Sequence, residues 1–488
     1  MFQSIVEAIL HFAETQPEKL CLVDDNNELT YAEYAEKIRK YAGYFKKIGF
    51  TSDSRVVIEA NQSVEYLAIQ MGLQLIGAVF VPVEHNCAEE KIANFIRRSE
   101  AVSVIVNKNE DRYEVAHPFC YETIIARAEE TEALTVEKLP AIDDICEILF
   151  STGTTGKEKG IVITHKNNIA LAHNVMHGVE MKPDNVEMIP SPMNHSHGLR
   201  RYYTNMYNGC TVVILGSVMD IARFFRNIDR YGVNSMDLVP SALAVVLRLS
   251  KGKLGEYADQ IRYIQIGSAP MMDQDMKETS ALLPKTHLYN FYGSTESGCT
   301  YIYDYNTPNP KKHCIGKPTY SVTALIVDDD RNPIVSSKEN TGTVATAGDM
   351  NMLCYWQDEE ETKRAMANGI VYSNDVGYVD EDGDIILLGR KGDIINVGGN
   401  KVSPDEIENA VKKMKEVADC GCIATPDKTR GQVPKLFVQM APGAAFDAKA
   451  IRTFLTEQME PYKVPVYIEE IEKIPRTFNG KILRKELR

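Results

Sequence analysis

Ser151-Thr152-Gly153-Thr154-Thr155-Gly156-Lys157-Glu158-Lys159-Gly160 carries three glycines, four hydroxyls and two lysines in ten residues. Glycine lets a backbone approach a ligand closely and adopt positive φ. Hydroxyls and free N–H groups donate to phosphate oxygens, and lysine adds positive charge. The stretch therefore reads as a phosphate cradle. Its spacing is not that of the common P-loop, which separates two glycines by four residues and follows them with Lys and Ser/Thr. Here two residues separate Gly153 from Gly156, and Glu158 follows Lys157. The apolar runs on either side, Glu147-Ile148-Leu149-Phe150 and Ile161-Val162-Ile163-Thr164, read as strands, so a Gly/Thr-rich hairpin turn is the plain alternative. A hairpin is compatible with phosphate binding.

Outward from this loop the chain alternates strands and helices. Residues 31–48 read as a helix with Thr30 as N-cap and Glu33 three residues on, 63–75 as a second, and 55–58 and 78–81 as buried strands. The alternation recurs at 211–215, 223–231 and 262–266, which argues for α/β layers with parallel pairing. Past about residue 320 short strands take over, at 323–327, 342–346 and 385–388, before helices at 404–414 and 448–458. The expected fold is α/β: a large N-terminal domain of layered α/β subdomains with a small β-rich part, residues 1–389, then a small mobile α+β C-terminal domain, residues 390–488. Gly392 is the expected pivot.

Composition narrows the partners. The chain has 488 residues, enough for at least two domains, and a net charge of −14, which disfavours a nucleic-acid partner bound through a basic face. The ten cysteines show no CxxC spacing, which suits a reducing compartment. Residues 1–20 read as an amphipathic helix without a basic leader, and no apolar run is long enough to span a bilayer, so a cytoplasmic location is expected.

Four further segments carry chemical residue types. Tyr289-Asn290-Phe291-Tyr292-Gly293-Ser294-Thr295-Glu296 offers rings to stack on a base, hydroxyls, and a carboxylate of the kind that holds Mg²⁺ beside phosphates; alternatively it is a polar loop after a strand. Asp375, in Ser373-Asn374-Asp375-Val376-Gly377, suits ribose hydroxyls or an Asx turn. Gly389-Arg390-Lys391-Gly392 through Gly398-Gly399 is a Gly-rich loop. Lys481, after Gly480, reads in isolation as a solvated charge.

In order and separation, these segments with the 151–160 loop resemble the core motifs of the adenylate-forming superfamily: acyl- and aryl-CoA synthetases, adenylation domains of nonribosomal peptide synthetases, and beetle luciferases. The resemblance covers nearly the whole chain, and Leu29-Thr30-Tyr31 and Gly77-Ala78-Val79-Phe80-Val81-Pro82 fit it too. It implies ATP, Mg²⁺ and coenzyme A, or the phosphopantetheine of a carrier protein, as cofactors. It implies attack of a small carboxylic acid on the α-phosphorus, then transfer of the acyl group to a thiol. A free-standing adenylation enzyme that loads a separate acyl carrier protein is the alternative reading. A monomer or homodimer is expected.

Residue by residue, the resemblance assigns Ser151, Thr152, Gly153, Thr154, Thr155, Gly156 and Lys159 to the phosphates. Glu158 stands where many relatives have proline. The resemblance assigns Ser268, Ala269, Pro270, Asn290, Tyr292 and Gly293 to the adenine side, Thr295 to the α-phosphate, Glu296 to Mg²⁺, Asp375 with Arg390 to the ribose, and Lys481 to catalysis. His195, in Ser191-Pro192-Met193-Asn194-His195-Ser196-His197-Gly198, matches the histidine that flanks the acyl site; His197 has no counterpart. A zinc pair from His195 and His197 is disfavoured without a third ligand. His173 and His177 are expected on an exposed helix face. His195, Ser241, Gly267 and Tyr289 are the expected acid pocket, with Tyr202, Asn290 and Cys299 as further candidates. The polar members favour a small, aryl or functionalised acid. Arg200 and Arg201 are placed to reach a second carboxylate, although such pairs are more often surface charge.

Overall fold

A computed structural model describes residues 2–152, 158–269, 271–398, 400–476 and 482–487. The parallel pairing expected from the β/α alternation is present in two sheets. In the smaller, of seven strands, Val79–Val83, Arg55–Glu59, Ser103–Val106 and His117–Cys120 lie parallel in that order. Ile145–Thr152 adds beside Val79–Val83 and folds back as an antiparallel hairpin onto Glu158–Thr164, with Thr152 opposite Glu158. Ser151–Thr152 and Glu158–Gly160 are therefore the facing strand ends of a hairpin. Cys354–Tyr355 pairs on its outer edge.

The larger sheet has fourteen strands. Its parallel half runs Leu20–Val23, Thr211–Ile214, Val186–Ile189, Ser235–Leu238, Tyr263–Gly267, His287–Ser294. At His287–Ser294 the direction changes. Gly298–Asp304 pairs antiparallel with it and hands the sheet on to Cys314–Pro318, Ile385–Arg390, Ile370–Val379, Gly342–Ala347 and Thr323–Val327. Residues 289–294 are thus the strand itself rather than a loop after it. The strand persists because Gly293 has no side chain: a Cβ there would stand 1.8 Å from the Gly298 carbonyl oxygen.

Local signals explain the helices. Thr30 caps Tyr31–Lys47 in a full capping box with Glu33, and Ser63 caps Val64–Leu75. The helix Ser196–Tyr207 is polar in sequence yet buried from Gly198 to Tyr207.

The tail has its own five-stranded sheet, with Gly431–Met440 between Val417–Asp427 and Tyr467–Glu470. Its helices, Pro404–Val411 and Ala448–Thr456, are shorter than the expected 404–414 and 448–458. The last turns tighten to i→i−3 bonds, Met414 to Val411 and Gln458 to Leu455. Its apolar core, around Val402, Ile407, Val433 and Leu455, contains no residue from before 395.

Candidate active site

The tip of the His287–Ser294 hairpin gathers groups from four segments. Thr295 and Glu296 form the turn. The Thr295 hydroxyl is 3.1 Å from that of Ser196, at the start of the Ser196–Tyr207 helix. From one turn further along, Arg200 donates through Nη2 to the carbonyl oxygens of Ser294, at 2.9 Å, and Thr295, at 3.0 Å. The Glu296 carbonyl accepts from Met352 N–H at 2.7 Å, and its carboxylate accepts from the Tyr355 hydroxyl at 2.8 Å. Burial and the charge of Glu296 push the Tyr355 phenol far above its ordinary range, so it stays a donor. Among the described residues Glu296 has no other side-chain partner, which leaves one carboxylate oxygen open to a cation.

Lys159, expected to meet phosphate, stands over the Tyr355 ring at 5.0 Å and is ion-paired with Glu361. Gly153, Thr154, Thr155 and Gly156 lie outside the described residues, as do Pro270 and Lys481. Ser151 and Thr152 end the strand that leads to that loop.

Asp375 does not occupy an Asx turn. It lies inside the strand Ile370–Val379, directly opposite Arg390, with Arg390 Nε 3.8 Å from its carboxylate. A register shift between Val376 and Gly377 follows it. The Tyr292 hydroxyl donates to Asp375, and burial followed by the Asp375 charge raises that phenol well above its ordinary value. The tyrosine expected beside adenine and the aspartate expected on the ribose are therefore joined.

On the acid side, His195 precedes the Ser196–Tyr207 helix and is held below its ordinary pKa, chiefly by burial. Gly267 ends its strand and Ser268 turns the chain at φ 71°. Burial pushes the Tyr289 phenol up to about 12. Asn290 is buried, and Ser241 is exposed near the start of the Pro240–Ser250 helix. Tyr202 and Cys299 are sealed inside, Tyr202 against the Tyr34 hydroxyl at 2.6 Å and Cys299 under Arg201 at 3.3 Å. Neither lines an open pocket.

Arg200 and Arg201 correct the surface-charge expectation: they are 8% and 0% exposed. Nη2 of Arg200 serves the hairpin tip and Nη1 and Nη2 of Arg201 serve Gln265 and Cys299, while the buried Nε of Arg201 has no hydrogen-bond partner among the described residues. His173 likewise is not free on an exposed face, since its Nε2 is 2.8 Å from the Tyr207 hydroxyl; His177 is exposed and stacks on Tyr320. Gly392 is exposed, with open space where a Cβ would stand.

Sequence reasoning passed over the groups that organise this site. Glu147, Glu187 and Asp237 are buried carboxylates in otherwise apolar strand segments. Each meets the Ser196–Tyr207 helix: Tyr203 donates to Glu147 at 2.6 Å, Asn205 to Glu187 at 2.7 Å, and His197 Nε2 lies 2.9 Å from Asp237. A lone acid inside a short apolar run is the signal that would have found them, because a buried charge requires a partner. Tyr355 and Glu361 flank an acidic run that reads as a solvated face.

Comparison with known proteins places the whole chain. A 2-succinylbenzoate–CoA ligase of Bacillus mycoides (strain KBAB4) is 26% identical over 476 residues, spanning 97% of this chain and 96% of its own. The fatty acid–[acyl-carrier-protein] ligase ScoC of Streptomyces coeruleorubidus is 26% identical and spans 100% and 96%. In fold, ATP-bound MatB from Rhodopseudomonas palustris superposes with a TM-score of 0.90 at 21% identity, over 100% of this chain and 98% of that one. The o-succinylbenzoate CoA synthetase MenE of Bacillus subtilis, in complex with its acyl-adenylate, gives 0.88 at 22% identity, over 99% and 97%. The AMP-binding enzyme family matches residues 9–356, and its C-terminal domain matches 406–481. With one family spanning most of the chain and its tail, this protein belongs to the AMP-binding enzymes.

Proposed function

We propose that the chain is an AMP-forming acid–thiol ligase that activates a small carboxylic acid with ATP and passes the acyl group to coenzyme A. One observation carries the reading. Tyr292, the Thr295 hydroxyl and the half-free Glu296 carboxylate lie along one strand and its turn, and Asp375, paired with Arg390 across two further strands, is bonded to Tyr292. A nucleotide laid along them meets an aromatic ring, a ribose acceptor, an α-phosphate donor and a cation ligand in that order.

A carboxylate is a poor nucleophile and repels the triphosphate it must attack. Positioning makes the attack effectively unimolecular, and positive groups offset the developing charge. In this reading the 151–160 loop, with Thr152, Thr154, Thr155 and Lys159, grips the departing pyrophosphate. Thr295 donates to the α-phosphate, and Lys481 bridges it to the acid. The donor set at Glu296, a carboxylate oxygen beside phosphate oxygens, suits Mg²⁺, which would supply charge neutralisation there. The thiol then displaces AMP from the acyl carbon, and no protein nucleophile is required. Residues 390–488 rotate about Gly392 between the half-reactions, presenting Lys481 for the first and the Lys401 loop for the second.

The test is acid-dependent ATP–pyrophosphate exchange with a panel of carboxylic acids, followed by product analysis with coenzyme A. Acid-stimulated exchange and AMP with acyl-CoA are expected. Acid-independent ATP hydrolysis, or ADP as product, refutes the reading. The similarity to a carrier-protein ligase gives the second arm: transfer to phosphopantetheinyl carrier protein but not to coenzyme A favours the carrier-loading alternative.

A further inference from the structure

Lys159 belongs to the phosphate cradle, yet its charge is already engaged within the protein. On the strand Glu158–Thr164 successive side chains leave opposite faces. The Glu158 carboxylate meets Lys91 at 3.2 Å, and the Lys159 ammonium meets Glu361 in the helix Glu359–Ala365. The Lys159 and Glu361 side chains are only 16% and 18% exposed. Lys159 also stands over the Tyr355 ring, and the hydroxyl of that ring bonds Glu296. The ammonium is thus one tyrosine ring away from the carboxylate that suits Mg²⁺.

The ion pair can open without moving the backbone. The Glu158 carbonyl accepts from Arg98 Nη2 at 2.8 Å, the Gly160 carbonyl accepts from Trp356 N–H at 2.7 Å, and Lys159 is registered against Ser151 across the hairpin. None of these bonds uses the ammonium, which sits on a flexible four-carbon stem. Breaking a partly buried pair usually strands the remaining charge. Glu361 has a second cation: Arg364 bonds Oε1 while Lys159 bonds Oε2. Its position is fixed as well, since its N–H donates to Asp358 Oδ1 at 3.1 Å.

The surrounding charge makes the lysine worth competing for. The Tyr355 phenol is raised by burial first, then by Glu296, with Glu361 and Asp358 adding to it, so three carboxylates share this corner with Lys159 and Arg364. Lys159 holds the Glu361 carboxyl below its ordinary pKa, against the burial that raises it. One ammonium can neutralise Glu361 or a phosphate oxygen, and each reduces its hold on the other.

We propose that Glu361 is a resident counter-ion that competes with the β- and γ-phosphates for Lys159. It holds the lysine in the empty site, yields it when Mg²⁺-bound ATP enters, and takes it back as pyrophosphate leaves. Arg364 keeps Glu361 paired in the meantime. The proposal rests on the ligase reading above and deepens it: some ATP affinity is given up so that the product anion is released.

The experiment measures binding of Mg²⁺-ATP, Mg²⁺-pyrophosphate and AMP by titration calorimetry, without acid, on proteins shown by thermal melt to be folded. Glu361→Gln is expected to tighten ATP and pyrophosphate by about fivefold, the upper end of what a solvent-accessible pair is worth. AMP lacks the two outer phosphates, so its affinity should stay unchanged. Glu361→Asp withdraws the charge by one methylene and should tighten ATP in the same sense, which decides the matter if the glutamine variant folds poorly. In a Lys159→Met background the Glu361→Gln gain should vanish. ATP affinity that is unchanged or weakened in the Glu361 variants overturns the proposal, as does an equal gain for AMP or a gain that survives Lys159→Met. Wild-type protein that binds no ATP, or shows no acid-dependent exchange, overturns the ligase reading; ATP binding indifferent to Glu361 overturns only this one.

Discussion

Arg200→Met isolates the link between the acid side and the phosphate side. The substitution keeps the length and apolar stem of the side chain and removes its charge. Arg200 is 8% exposed, and one nitrogen serves two carbonyl oxygens at 2.9 and 3.0 Å. Without it the Ser294 and Thr295 carbonyls lose their donor, and buried Glu147 loses a nearby positive charge. Removing one member of such a buried set costs about 3–5 kcal/mol of stability. The hairpin tip that carries Thr295 and Glu296 then keeps its bonds to Ser196, Met352 and Tyr355 but loses its charged tether. Misplacing reacting groups by about 1 Å costs on the order of 100-fold in rate, so ATP–pyrophosphate exchange should fall by about that factor, at a temperature where circular dichroism shows the variant folded. Arg200→Lys retains the charge without the planar fork and should recover part of the rate. Exchange within about threefold of wild type, in a variant that has lost the predicted stability, would refute the positioning role and leave Arg200 a structural charge.

Four other outcomes are expected. Tyr355→Phe removes the hydroxyl that, among the described residues, orients Glu296, a bond to a carboxylate worth about 1.5–3 kcal/mol, so the Mg²⁺ concentration for half-maximal exchange should rise by about tenfold. Gly293→Ala forces a Cβ to within 1.8 Å of the Gly298 carbonyl and should abolish exchange or folding, whereas Gly392→Ala, with open space around it, should fold normally by thermal melt. His165 is buried with neither ring nitrogen bonded, and burial pulls its pKa from 6.5 down to about 4. Its neutral form therefore stabilises the fold fully above pH 6.5, and that contribution is lost as pH falls through 4; His165→Leu should flatten denaturant-derived stability over this window by about 3 kcal/mol. Lys481→Ala should abolish acyl-adenylate formation yet convert synthetic acyl-adenylate to thioester in single-turnover assays; equal loss of both would remove the domain-rotation proposal.

Much of the architecture was written in local signals. Thr30 with Glu33, and Ser63 before an apolar run, mark helix starts that the fold realises. The two apolar runs around residue 151 mark the hairpin. The alternatives that the fold sets aside share a cause. Asp375 and Tyr289–Glu296 look like turn and loop in composition, but cross-strand pairing overrides composition, with Asp375 opposite Arg390 and Tyr292 opposite Tyr301. Arg200 and Arg201 look solvated because charge usually is. Only the sheets packed around the Ser196–Tyr207 helix, with buried carboxylates on both, make a polar helix a buried one. Such partners are far apart in sequence, Tyr203 and Glu147 by 56 positions and Arg200 and Thr295 by 95, so no local window contains the reason for either.

The separation of apolar cores has an energetic consequence for the tail. Among the described residues the apolar clusters fall wholly on one side of Gly392 or the other. An exposed contact made by a charged side chain bridges the two sides, Lys401 with the Thr341 hydroxyl at 2.5 Å. Contacts of this kind are worth about 0–1 kcal/mol each and are screened over roughly 8 Å at physiological salt. Little dehydrated surface would have to be re-wetted for the proposed rotation of the tail. Its resting posture is accordingly an ionic matter, and added salt should shift the balance of orientations while leaving the melting of either core nearly unchanged.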